Sequence, residues 1–148
     1  IWGHDEIPTG RTISYAHSMG IPWLYTEAYG AGRIHTGDLR MMTQGIHNLL
    51  THLEILPAPI RTPEIRWMLR GEGNTDTGIS ASHDGFLIIK VELLQEVVQG
   101  ELLGLLVNLL GEQLDKYCAP GPGIVALIRS FPVIKRGDSL FLIAERES

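Results

Sequence analysis

The stretch Ile21–Arg33 reads Ile-Pro-Trp-Leu-Tyr-Thr-Glu-Ala-Tyr-Gly-Ala-Gly-Arg and joins an apolar run, one carboxylate and a glycine-rich loop. The run Ile21–Thr26 lies between glycines, a pattern typical of a buried β-strand. In α/β folds, ligands bind at the carboxyl ends of strands. We therefore predict a strand that places Glu27 at a candidate site. The alternative is a solvated acid at the end of the strand.

Helical patterns flank this predicted strand on both sides. Ile13–Met19 is predicted to form a short helix that ends at Gly20. Apolar residues recur every three or four positions from Thr36 to about Leu56, which predicts an amphipathic helix. We expect this helix to cover the sheet that carries Glu27. Residues 1–56 are accordingly interpreted as part of an α/β domain.

The pattern changes after residue 56. Three prolines in the nine residues from Leu56 to Glu64 indicate an extended linker, which we assign to residues 57–64. Residues 65–148 alternate short β-like runs with glycine turns, which predicts an all-β module. The predicted strands are Ile65–Leu69, Gly78–Ser80, Phe86–Val91, Leu102–Leu110, Ile124–Ile128 and Leu140–Ala144.

An internal repeat supports the all-β prediction. Asp84–Lys90 resembles Pro122–Ile128, and Val97–Leu103 resembles Ile134–Leu140. Similarity at this period indicates two copies of one supersecondary unit. The pattern resembles the barrel-sandwich hybrid of biotinyl and lipoyl carrier domains, which is built from two β-hammerheads related by a pseudo-twofold axis.

The order of these motifs resembles the succinylglutamate desuccinylase/aspartoacylase family. The shared features are a small-residue helix, Gly-Ile-Pro, a strand, a Glu followed by glycines, and then a β module. The resemblance implies a carboxypeptidase-like zinc amidohydrolase that deacylates an N-acyl amino acid or a similar small acid. It implies that Glu27 is the general base that deprotonates zinc-bound water and then protonates the leaving amine. Arg11 and Arg33 are candidates to hold a substrate carboxylate, with surface charge as the alternative for each.

The zinc itself has no predicted ligand in this chain. A catalytic zinc takes three protein ligands and keeps an open position for water. The family's His-x-x-Glu pattern is absent from the sequence around each histidine. The histidines tested are His4, His17, His35, His47, His52 and His83. Because the chain also begins at Ile1 as though inside a domain, we expect it to be a portion of a longer protein whose upstream part holds the zinc. Tyr29 is a further candidate, as an oxyanion donor.

Two alternatives remain open at this stage. The β module could be a biotinyl- or lipoyl-like carrier or binding module without catalysis, with Lys116 as the candidate modified lysine. The chain could also be a scaffold whose site is inactive. An added biotin or lipoyl mass on Lys116 would identify the carrier.

Composition limits the partners. The net charge of −5 argues against nucleic acid, and no apolar run approaches the roughly 20 residues that span a bilayer. The single cysteine, Cys118, favours a reducing compartment such as the cytoplasm. The expected partner is a small-molecule N-acyl amino acid substrate. The sequence leaves open whether the chain also forms a homo-oligomer.

Overall fold

The computed structural model describes residues 2–3, 9–28, 30, 32–70 and 78–147. The chain divides into two compact units. The helical unit is Thr9–Arg66, and the β unit is Trp67–Ser148 together with Ile1–Pro8. The functional division into residues 1–56, 57–64 and 65–148 stays a prediction.

Helix α1, Thr12–Ser18, lies where the sequence predicts a helix. Its first turn is held by Ser14, whose hydroxyl accepts a hydrogen bond from the Arg11 N–H at 3.1 Å and donates to the Arg11 carbonyl at 2.7 Å. Gly20 follows the helix with φ +67°, a conformation that glycine adopts without strain. Local side-chain chemistry therefore sets both ends of this helix.

Helix α2 is Thr36–His52, so it begins as predicted and ends four residues before Leu56. Glu54, with φ 58°, takes the chain out of the helical conformation, and Pro57 follows. The Asn48 side chain makes two hydrogen bonds with the backbone of Arg61: its Nδ2 donates to the carbonyl oxygen at 2.7 Å, and its Oδ1 accepts from the N–H at 3.0 Å. These bonds anchor the proline-rich segment. Neither described helix is long and apolar enough to cross a membrane.

The strand predicted at Ile21–Thr26 is wrong. Residues 21–28 form neither helix nor strand, and the Leu24 side chain is 88% exposed. A strand exists only where a neighbouring strand pairs with it, and the described part of the helical unit contains no strand. The sheet that we expected α2 to cover is likewise absent from the described part of the helical unit. The apolar run was therefore a poor guide to burial here.

The β unit contains two sheets in its described residues. Their strands are β1 Trp2–Gly3, β2 Leu69–Arg70, β3 Ile79–Ser80, β4 Gly85–Ile89, β5 Glu96–Val97, β6 Leu102–Val107, β7 Gln113–Cys118, β8 Gly123–Ile128, β9 Val133–Ile134 and β10 Ser139–Arg146. One sheet has the order β1-β2-β10-β8-β5, with β3 also paired to β10, and the other has the order β7-β6-β4-β9. All pairs are antiparallel except β1 with β2. The predicted all-β module is thus confirmed as a set of mostly antiparallel sheets, and its description as a barrel-sandwich hybrid stays a prediction.

The two copies of the repeat exchange short strands. Strand β4 of the first copy pairs with β9 of the second, and β8 of the second pairs with β5 of the first. The same exchange recurs in the loops, where the Ala81 N–H donates to the Asp138 carbonyl and the Ala119 N–H donates to the Glu101 carbonyl, both at 2.9 Å. Each copy therefore supplies a short strand that pairs with a longer strand of the other copy.

The core of the β unit lies where the two copies meet. Phe141, Leu103, Leu106 and Leu140 are fully buried there. Gly104 occupies the repeat position equivalent to Phe141, and a Cβ atom added to it would lie 2.9 Å from the Phe141 ring and 3.0 Å from the Ile88 carbonyl oxygen. A small residue in one copy thus makes room for a large residue in the other.

Candidate functional site

The candidate site in the helical unit is centred on Glu27. Its side chain is exposed, and its Oε1 accepts a hydrogen bond from the Tyr25 hydroxyl. That hydrogen bond, and then the negative charge of Glu27, raise the pKa of Tyr25, because a phenolate beside a carboxylate is unfavourable. Sequence reasoning missed Tyr25, although residues two apart lie on one side of an extended chain and the spacing could have indicated the contact.

Arg11 lies near this pair, at the start of α1. Its positive charge lowers the pKa of Tyr25, a weaker influence than those that raise it. A shallow pocket surrounds the start of the helix and is lined by Arg11, Tyr15 and small polar residues. The structure therefore brings Arg11 into the surroundings of Tyr25 and Glu27.

Arg33 is placed differently. It is exposed in the segment that leads into α2, and among the described residues no hydrogen bond or ion pair joins it to Glu27. Of the two arginines predicted to bind substrate, only Arg11 is thus linked to the surroundings of Glu27. The substrate-binding role of each arginine stays a prediction.

The described residues do not fit a zinc site. No group of three histidine, cysteine, aspartate or glutamate side chains is arranged there to hold a metal ion. His17, His47 and His52 are exposed on the two helices. The prediction that the zinc ligands lie upstream of this chain stays a prediction. Two further residues named in the sequence analysis, His4 and Tyr29, lie outside the described residues.

A second polar cluster lies in the β unit. The Ser82 hydroxyl donates to Asp115 Oδ2 at 2.5 Å and lies 2.9 Å from His83 Nδ1 and 3.2 Å from the Tyr117 hydroxyl oxygen. The hydrogen bond from Ser82, followed by one from the Lys116 N–H, lowers the pKa of Asp115. In a hydrolytic triad, the serine proton goes to histidine and the carboxylate orients that histidine. Here the serine donates directly to the carboxylate, so the cluster ties the turn before β4 to β7.

Lys116, the candidate carrier lysine, lies inside strand β7. Lys116 pairs with Leu105 on β6, whereas residues 108–112 form the tip of this hairpin. A biotinyl or lipoyl carrier domain presents its modified lysine at a hairpin tip. The position of Lys116 does not match that pattern.

Comparison with known proteins relates this fold to solved structures. No protein-family model and no curated sequence matches the chain. A succinylglutamate desuccinylase from Silicibacter sp. TM1040 is 24% identical, with a TM-score of 0.89 over 99% of this chain and 45% of its own. The apo ectoine utilization protein EutE (DoeB) from Ruegeria pomeroyi is 24% identical, with a TM-score of 0.84 over 94% of this chain and 44% of its own. A succinylglutamate desuccinylase/aspartoacylase from Rhodobacter sphaeroides is 23% identical, with a TM-score of 0.79 over 92% of this chain and 43% of its own.

These likenesses concern the fold, since each identity is below one quarter. The chain spans less than half the length of each of these structures. The resemblance inferred from the sequence motifs is thereby confirmed at the level of the fold. This chain has the fold of a portion of the succinylglutamate desuccinylase/aspartoacylase family structures.

Proposed function

We propose that this chain is part of a zinc-dependent deacylase that hydrolyses the amide bond of an N-acyl amino acid or a similar small acid. The observation that carries the proposal is the fold shared over 99% of the chain with a succinylglutamate desuccinylase. The motif order around Glu27 supports the same class independently of the coordinates.

In this proposal, Glu27 is the general base. It takes a proton from the water that attacks the amide carbonyl and gives it to the leaving amine. A carboxylate has two oxygens, and the hydrogen bond from Tyr25 to Oε1 can orient the group while the other oxygen faces the water. Tyr25 is then a positioning residue that acts through Glu27.

Zinc would polarise the amide carbonyl and activate the attacking water. Because the described residues do not fit a zinc site, we propose that its ligands lie elsewhere in the protein. Glu27 is exposed in this chain. We propose that the part of the protein that supplies the zinc ligands also covers Glu27 and excludes bulk water from it.

Arg11 and Arg33 are proposed to bind the substrate carboxylate. A guanidinium group can donate two parallel hydrogen bonds to a carboxylate, which fixes the orientation of a small acid. The position of Arg11 near Tyr25 and Glu27 supports this role more directly than the position of Arg33 does.

The test uses the complete protein that contains this chain. The zinc-loaded protein is incubated with a panel of N-succinyl and N-acetyl amino acids, and the released amine is measured. We expect turnover of at least one compound, loss of turnover after zinc is chelated, and recovery when zinc is returned. A zinc-loaded protein that releases no amine from any of them would contradict the proposal. So would a biotin or lipoyl mass on Lys116.

A further inference from the structure

The polar cluster around Ser82 has few protons to share among its members. The Ser82 hydroxyl oxygen lies 2.5 Å from Asp115 Oδ2, 2.9 Å from His83 Nδ1 and 3.2 Å from the Tyr117 hydroxyl oxygen. A serine hydroxyl donates one hydrogen bond and accepts up to two. Only one of these three neighbours can therefore receive the Ser82 proton, and the other two form hydrogen bonds with Ser82 only if they donate.

Asp115 receives that proton. An ionised carboxylate only accepts hydrogen bonds. Hydrogen bonds from Ser82 and from the Lys116 N–H, the latter at 2.8 Å to Oδ1, lower the pKa of Asp115, so this group is ionised at neutral pH. The separation of 2.5 Å between Ser82 and Asp115 is also typical of a hydroxyl that donates to a charged oxygen. The direction of this hydrogen bond is thus from Ser82 to Asp115.

Tyr117 is a second donor in the cluster. Its side chain is buried, and its hydroxyl oxygen accepts the Ser82 N–H at 3.2 Å. Because the Ser82 proton goes to Asp115, the contact between the two hydroxyls requires that Tyr117 donate to Ser82. A hydrogen bond from Tyr117 is also among the causes that lower the pKa of Asp115. Tyr117 therefore supplies a proton and takes none from the Ser82 hydroxyl, which keeps a lone pair for His83.

The remaining lone pair of Ser82 faces the His83 ring. A neutral imidazole carries one proton, so one ring nitrogen donates and the other accepts. An unprotonated Nδ1 at 2.9 Å would set its own lone pair against that of Ser82, whereas an Nδ1–H group completes a hydrogen bond. We propose that the chain of donors from His83 to Ser82 to Asp115 holds His83 as the Nδ1–H tautomer and makes Nε2 of this exposed residue a proton-binding site.

This tautomer allows His83 to change its charge without disturbing the cluster. Nδ1 is a donor both in this neutral form and in the imidazolium, so a proton can enter or leave at Nε2 while every hydrogen bond of the cluster stays in place. The charged groups around the ring are Asp115, which is reached through Ser82, and Asp84, which is paired with Lys135 at 3.2 Å. The site is independent of the proposed deacylase activity, because it uses residues of the β unit alone.

The first test is the tautomer of His83 in the complete protein, labelled with ¹⁵N at histidine. Long-range ¹H–¹⁵N spectra are recorded at about pH 8.5, where an ordinary histidine is neutral. A ring nitrogen without a proton resonates far downfield of one that carries a proton. We expect the downfield resonance of His83 at Nε2, the reverse of the Nε2–H form that free histidine favours. The His83→Gln variant identifies the resonances by their absence. A wild-type His83 with its proton on Nε2 would overturn the proposal.

Ser82→Ala tests the cause of the tautomer. This variant removes the oxygen that accepts from Nδ1, so we expect the ring to return to the Nε2–H form. Ser80→Ala is the matched control, because the Ser80 hydroxyl donates to the Gly78 carbonyl at 3.4 Å and is not part of the cluster. We expect it to keep the Nδ1–H form. An Nδ1–H ring in Ser82→Ala, or the same change of tautomer in both variants, would overturn the proposal. Circular dichroism checks the fold, and the wild-type spectrum alone decides the tautomer if Ser82→Ala does not fold.

Discussion

The β unit and the helical unit differ in where their apolar side chains lie. Every buried apolar residue among those described belongs to the β unit, whereas α1 and α2 contain none. The apolar stripe of α2 includes the exposed residues Leu39, Ile46 and Leu49. One unit thus carries its own core, and the other presents apolar surface together with the candidate catalytic residue. The proposed chemistry therefore lies in the helical unit, whose apolar side chains would be buried only by contact with further protein surface.

Equivalent truncations in the two units should separate them most clearly. In the chain as given, Phe141→Ala should lower the free energy of unfolding by about 3–5 kcal/mol, because it removes a fully buried ring. Ile46→Ala on α2 should cost less than about 0.5 kcal/mol, as exposed substitutions do. Urea unfolding measures both. Comparable losses for the two variants would contradict the division between the units.

The contact between the repeats offers a smaller perturbation. Gly104→Ala should destabilise the β unit by about 1–3 kcal/mol, because its Cβ would meet the Phe141 ring and the Ile88 carbonyl oxygen. Gly121→Ala is the control, since no atom lies within 4 Å of a Cβ at that position. Thermal unfolding of both variants measures the effect. Equal melting temperatures would show that the close approach at Gly104 is not structurally important.

Acid should weaken the β unit through Asp115. Its pKa is lowered in the folded state, so its contribution to stability is present above its unfolded pKa and is lost as the pH falls through the folded value. Stability of the wild type should therefore decline below about pH 4, where unperturbed aspartates titrate. Asp115→Asn should be less stable at neutral pH and should show a shallower decline. Urea unfolding at several pH values would test this, and parallel pH profiles would contradict it.

The smallest expected effect is in the helical unit. Glu27→Gln weakens the hydrogen bond and removes the negative charge that together raise the pKa of Tyr25, so that pKa should fall toward the ordinary tyrosine value. The absorbance of tyrosinate against pH measures the change. An unchanged titration curve would mean that the Tyr25–Glu27 contact is not formed in solution.

Local patterns predicted part of the fold. The bounds of α1 follow from Ser14 and Gly20, which act within a few residues and are visible in the sequence. The repeat predicted β4 and β8 because both copies carry the same glycine and apolar run. These are features whose physical causes lie close together along the chain.

Other features depend on partners that are distant in sequence. Strands β5 and β9 have two residues each and exist only because the opposite copy of the repeat pairs with them. The predicted strand before Glu27 failed because no strand of the described helical unit pairs with it. The contact of Tyr25 with Glu27, two residues apart, was missed for a different reason: the apolar pattern assigned Tyr25 to a buried strand. The role of Glu27 rests on motif resemblance and remains a proposal.

The most direct test of that role is the turnover of the Glu27→Gln variant of the complete protein, measured together with its zinc content. We predict that kcat falls about 1,000-fold or more, because the general base is lost, while the bound zinc stays near the wild-type amount. A variant that keeps wild-type turnover, or one that loses its zinc but not its turnover, would contradict the assignment of Glu27 as the base.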